Sequence, residues 1–102
     1  MYDDLLNFID PDYTVKKLEK LIAIPSVVKE EKEFAYYLKD ELEELGLETE
    51  IQEVEPGRPN VYGRLSGSGS GKRLNFNGHL DTVPVVPGWD TNPFEPVKKE
   101  GK

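Results

Sequence analysis

The hydrophobic period of this chain changes at a single glycine. From about Lys29 to Leu45, the residues Phe34, Leu38, Leu42 and Leu45 recur at the spacing of one helical face. Tyr37 lies beside them, and charged residues fill the rest. Directly after Gly46, Leu47, Thr49 and Ile51 alternate with Glu48, Glu50 and Gln52, the period of a half-buried strand. A chain that must bury both a helical stripe and one strand face belongs to the α/β class. Gly46 is expected just past the helix end, where the backbone turns to positive φ. Glu30, Glu31 and Glu33 fall in the first turns, where the positive end of the helix dipole favours carboxylates.

The remaining segments follow from local rules. Val15, Leu18, Leu21 and Ile22 predict a helix over about Thr14 to Ile22, capped by Asp12 or Thr14. Leu5, Leu6, Phe8 and Ile9 form a run too short to assign, and Pro11 stops it. Pro25 ends the helix by forcing Ile24 into extended geometry. Glu55 to Pro59 reads as a turn, and Asn60 to Leu65 as a second strand. Ser66 to Gly71 reads as a flexible hairpin connection, and Lys72 to Gly78, with Leu74 and Phe76, as a third strand. Asp81 to Pro96 holds four prolines, so it is an ordered loop and not a helix. Two helices then three strands leave a sheet incomplete. The expectation is that residues 1–102 are one domain's opening part, ending at Lys102 with no closing element.

Charge narrows the partners. Twenty acidic against thirteen basic side chains give a net charge of −7. That balance disfavours nucleic acid and anionic membranes, which require excess Lys and Arg. No apolar run approaches the ~18 residues of a spanning helix. The N-terminus lacks the basic and small-residue pattern of a signal peptide. The chain has no cysteine, which excludes disulfides, zinc thiolates and thiol nucleophiles and leaves the cytoplasm as the expected compartment.

One histidine is present, His79, just past the expected third strand. Ligands of open α/β sheets bind at the carboxyl ends of strands. Neutral imidazole is a good Zn²⁺ donor, and its other ring nitrogen needs an acceptor to fix the tautomer. Asp81, two residues on, can supply one if the chain turns at Thr82-Val83-Pro84. Elsewhere the structural reading prevails. Glu41, Glu43 and Glu44 read as a solvated helix face, and Tyr36 and Tyr37 as core or boundary packing. The Ser-Gly run lacks the lysine and helix of a phosphate loop. Trp89 reads either as lining a substrate pocket or as packing the Pro-rich loop onto the sheet.

Asn77-Gly78-His79-Leu80-Asp81-Thr82-Val83-Pro84 resembles the first zinc-ligand motif of the M20 family of dizinc peptidases and deacylases. The similar branch is that of acetylornithine deacetylase and succinyl-diaminopimelate desuccinylase. Ile24-Pro25-Ser26, Leu45-Gly46-Leu47-Glu48, Asn60-Val61-Tyr62-Gly63 and Trp89 with Pro93-Phe94 agree in order and spacing. The resemblance implies a zinc-exopeptidase-like three-layer α/β domain, of which these residues are the N-terminal portion. It also implies that His79 ligates one of two Zn²⁺ ions, with Co²⁺ a possible substitute, and that Asp81 is the active-site acid that orients it. Gly78 matches the small residue of close packing.

The implied activity is hydrolysis of amide bonds in small N-acyl amino acids or short peptides, in a parent enzyme often homodimeric. The bridging aspartate, the Glu-Glu pair and the remaining ligands of that family have no counterpart in this sequence. The isolated chain is therefore expected to be inactive. The alternative is a truncated fragment or interaction module that retains the family's N-terminal fold.

Overall fold

Asp10 sits in extended geometry, at φ −103 and ψ 106, and its side chain accepts the Asp12 N–H at 3.0 Å. That cap starts a helix at once, with Pro11 in the first turn, where its missing N–H costs nothing. In the computed structural model, which describes residues 2–102, the elements are α1 (Tyr2–Leu6), α2 (Pro11–Ala23), α3 (Lys32–Glu44), β1 (Glu48–Glu55) and β2 (Arg58–Arg64). The expected start of α2 at Thr14 is therefore corrected to Pro11, which opens the helix as well as closing the run before it. Thr14 instead donates its hydroxyl to the Asp10 carbonyl at 3.1 Å. Ile24 is extended, at φ −96 and ψ 110, as the residue before Pro25 must be.

The chain divides into two compact units, residues up to Ile24 together with Val86–Lys102, and residues Pro25–Val85. In the first, Lys17 Nζ lies 5.4 Å from the centre of the Tyr13 ring. Leu18 on α2 is 55% exposed, so the predicted apolar face is only partly covered. The Pro-rich stretch of that unit forms no helix. Asn92 shapes it by accepting the Phe94 N–H on its side chain at 3.0 Å and the Glu95 N–H on its carbonyl at 3.1 Å.

The second unit is α3 packed on a β1–β2 hairpin. The helix begins at Lys32, later than expected, because Lys29 takes φ 77 and Glu30 N–H closes a turn onto the Val27 carbonyl at 2.7 Å. It ends as predicted at Gly46, with φ 87. Leu47 N–H reaches the Leu42 carbonyl and Gly46 N–H the Glu43 carbonyl, so two of the last carbonyls are satisfied. The strands pair antiparallel, Thr49 opposite Gly63 and Ile51 opposite Val61. The turn between them uses Gly57 at φ 78, and its N–H donates to Glu53 Oε1 at 2.7 Å.

Gly63 sets how closely helix and hairpin approach. A Cβ there would lie 2.9 Å from Leu47 Cδ2 and 3.0 Å from Leu42 Cδ1. Ala35 is fully buried on α3. At the other end of the helix, Glu43 Oε1 accepts from Lys39 Nζ at 2.6 Å and from Thr49 Oγ1 at 2.5 Å, which ties α3 to β1. These two bonds, Lys39 first, lower the Glu43 pKa.

The third strand does not form. Residues 72–78 carry no ladder among the described residues, and Leu74 and Phe76 are 77% and 88% exposed. Alternation alone cannot make a strand; a partner backbone must supply its hydrogen bonds. The only sheet among the described residues is two-stranded. Ser66 to Gly71 is therefore not a hairpin connection. Pairing resumes at Thr82, which forms an isolated parallel bridge with Val27. Among the described residues, no helix is long and apolar enough to cross a membrane.

Candidate functional site

The unpaired segment Asn75–Asp81 lines an open cleft of about 630 Å³. The start of β2, from Arg58 to Tyr62, and Glu31 line it as well. Both residues expected to carry chemistry, His79 and Asp81, lie on this cleft. So do Asn60, Val61 and Tyr62 from the segment before the motif. Tyr62 is held by donating its hydroxyl to Gln52 Oε1 at 2.8 Å.

The chain does bring Asp81 back to His79, but through a different atom from the one expected. His79 Nδ1 lies 2.8 Å from the Asp81 main-chain oxygen and 3.4 Å from its carboxylate Oδ1. The first is a good hydrogen-bond distance and the second is long. In the neutral ring Nδ1–H then donates to the carbonyl, and the lone pair is left on Nε2. The His79 side chain is 83% exposed, so that lone pair is accessible.

Glu31 and Arg58 are the residues that sequence reasoning missed. Glu31 is 4% exposed, and its carboxylate is buried against Arg58 rather than spread on the helix dipole. Oε1 accepts from Arg58 Nη2 at 2.9 Å and from the Lys29 N–H at 2.9 Å, while Arg58 Nε lies 3.4 Å from Oε2. Arg58 Nη1 also reaches Glu55 Oε2 at 3.5 Å. The Arg58 hydrogen bond pulls the Glu31 pKa down to about 2; burial opposes it and the Lys29 N–H assists it. The partners are 27 residues apart, and no periodicity links them.

One other expectation changes. A Cβ on Gly78 would meet nothing within 4 Å, so close packing does not require glycine there. Trp89 is 60% exposed and belongs to the other unit.

Among the described residues, no three His, Asp or Glu side chains converge as a metal-binding group. What the site offers is one imidazole nitrogen with its tautomer fixed and one carboxylate beside it.

Comparison with known proteins adds to this geometry. The chain is 35% identical over 95 residues to a succinyl-diaminopimelate desuccinylase of Delftia acidovorans, covering 87% of this chain and 25% of that protein. It is 34% identical over 112 residues to the Cys-Gly metallodipeptidase of Candida albicans, covering 89% of this chain and 23% of that protein. It is 41% identical over 64 residues to the N-formyl-4-amino-5-aminomethyl-2-methylpyrimidine deformylase of Bacillus subtilis, covering 59% and 15%. The chain thus spans about a quarter or less of the length of these relatives. No protein-family model matches the chain, and no solved structure matches it.

Proposed function

We propose that this chain is part of an M20-type metal-dependent hydrolase of amide bonds, and that His79 is its first metal ligand. The observation that carries the reading is the His79 ring, pinned through Nδ1 by Asp81 at 2.8 Å with Nε2 left accessible. The similarity to a desuccinylase, a metallodipeptidase and a deformylase supports it, since each name describes removal of an acyl group or cleavage of a dipeptide. The helices and hairpin are then the opening part of a zinc-exopeptidase-like three-layer domain.

The proposed substrates are N-acyl amino acids or short peptides, and the proposed metal is Zn²⁺, two ions in the complete site, with Co²⁺ able to replace it. A bound zinc ion would supply Lewis-acid polarisation of the scissile carbonyl and a water acidic enough to attack it. The chain's own contribution is narrower. Asp81 holds the ring in the tautomer that presents Nε2, and the adjacent cleft leaves room for a small substrate. A catalytic zinc site normally takes three protein ligands. His79 supplies one, and the others are proposed to lie outside residues 1–102.

The test uses the native gene product. Its mass is compared with 11.6 kDa, and it is assayed on N-acyl amino acids and dipeptides with Zn²⁺ or Co²⁺. Metal-dependent turnover is expected, and His79→Ala is expected to abolish it. Asp81→Ala is expected to lower metal affinity or activity by about tenfold, since alanine keeps the main-chain oxygen that holds the ring. A native product without amide hydrolysis under either metal, or a His79→Ala enzyme with full turnover, refutes the proposal.

A further inference from the structure

We propose that Glu31 and Arg58 are positioning residues for His79: their ion pair holds the Ser26–Glu31 turn in the form that clamps Thr82, and that clamp aims the Asp81 carbonyl at the His79 ring. The value of this to a metal site rests on the function proposed above; the geometry does not.

The buried polar side chains of the described residues are Ser26 and Glu31, each 4% exposed, and both lie on this one six-residue segment. Within it, Lys29 is held at φ 77, a backbone region that a residue with a Cβ rarely enters. Such a conformation persists only where its surroundings over-determine it. Here the Glu31 carboxylate takes the Lys29 N–H at 2.9 Å, and Glu30 N–H closes onto the Val27 carbonyl at 2.7 Å. Arg58, from the first position of β2, in turn holds that carboxylate at 2.9 Å. The turn is thereby fastened to the hairpin.

The other end of the segment grips Thr82 on both sides. Thr82 N–H donates to the Ser26 carbonyl at 2.9 Å, and Val28 N–H donates to the Thr82 carbonyl at 3.0 Å. The Thr82 N–H and the Asp81 carbonyl belong to one peptide group, which is planar and trans. Its N–H and C=O therefore point in opposite directions. With the N–H fixed on Ser26, the C=O is aimed away, where His79 Nδ1 meets it at 2.8 Å. Donation at one end of a peptide also strengthens acceptance at the other. The path from Arg58 to the imidazole consists wholly of hydrogen bonds and two short stretches of backbone.

The chain has one histidine, so its ring nitrogens give a single pair of ¹⁵N resonances. Those resonances report the tautomer, and amide exchange reports the clamp. In Glu31→Gln, exchange at Thr82 and Val28 is expected to accelerate at least about tenfold more than exchange at Ile51 and Val61 in the hairpin. The hairpin amides are expected to change only as far as the variant's loss of global stability in urea requires. The His79 ring is expected to shift from the Nδ1–H tautomer towards the Nε2–H form. Arg58→Lys keeps a cation but not the guanidinium fork, so it is expected to show the same changes to a smaller degree.

Unchanged Thr82 exchange and an unchanged His79 tautomer in either folded variant overturn the proposal. If the hairpin loses protection to the same degree as Thr82 in Glu31→Gln, Arg58→Lys decides by the same two readouts. Neither readout involves a metal or turnover. A failure here leaves the amide-hydrolase reading standing, and a failure of that reading leaves this one testable.

Discussion

The Glu31–Arg58 pair makes a quantitative prediction about acid stability. The Glu31 pKa falls from 4.5 to about 2 in the folded chain, chiefly because Arg58 donates to its carboxylate. At about 1.4 kcal/mol per pKa unit, the full shift corresponds to about 3.5 kcal/mol. Arg58 has a 35% exposed side chain, so solvent screens the outer part of the pair, and about 2 kcal/mol is the better figure. The sign follows from proton counting. Between the two pKa values the unfolded chain binds more protons than the folded one, so stability rises with pH there. The contribution is complete above about pH 4.5 and is lost as pH falls through about 2.

Glu31→Gln isolates that charge, because the amide keeps an acceptor for the Lys29 N–H. Urea unfolding of the chain followed by far-ultraviolet circular dichroism is the assay. At pH 7 the variant should be less stable by about 2 kcal/mol, a midpoint shift of about 1.3 M for a slope near 1.5 kcal/mol/M. At pH 2 the two chains should differ by less than about 0.5 kcal/mol. A deficit of equal size at both pH values would show that Glu31 acts by packing and not by charge. No deficit at pH 7 would show that desolvation of the carboxylate cancels the pair.

Two glycines test the junction of α3 with the hairpin. Gly46→Ala meets no neighbour within 4 Å but must hold φ 87, so a loss of about 1 kcal/mol in urea unfolding is expected from backbone strain alone. Gly63→Ala places a methyl 2.9–3.0 Å from the ends of Leu47 and Leu42 and should cost about 1–2 kcal/mol. Combined with Leu42→Ala it should cost less than the sum of the two single changes, as a double-mutant cycle would register.

What the sequence showed and what it hid divide by range. The Gly46 helix end, the extended Ile24 before Pro25 and the Gly57 turn are each decided within a few residues, and each was legible. Pro11 reads as a stop for the run before it, yet it also opens α2, because the aspartate that precedes it takes the position of a cap. Leu74 and Phe76 alternate as well as Thr49 and Ile51 do. Only the latter pair has a neighbouring strand, and no local pattern reveals that difference. Glu31 looked like a helix-dipole residue because its partner Arg58 lies 27 positions away. His79 and Asp81 were legible as a pair, since a two-residue spacing brings them together. Which oxygen of Asp81 would face the ring was not legible, because the backbone direction is set by Ser26 and Val28, more than fifty residues earlier.

That last distinction changes what Asp81→Ala should do to the native product. If the carboxylate alone oriented the imidazole, its removal would free the ring and the loss would approach a hundredfold. Here the nearer acceptor is the main-chain oxygen at 2.8 Å, and alanine retains it. The carboxylate at 3.4 Å contributes mainly charge beside the ring. The expected loss of metal affinity therefore lies near tenfold, with the His79 ¹⁵N resonances still showing the Nδ1–H tautomer. A variant that loosens the clamp, such as Glu31→Gln, should do the reverse, shifting the tautomer while leaving the Asp81 charge in place. A hundredfold loss in Asp81→Ala accompanied by a switch of tautomer would mean that the carboxylate, and not the peptide group clamped by Ser26, holds His79.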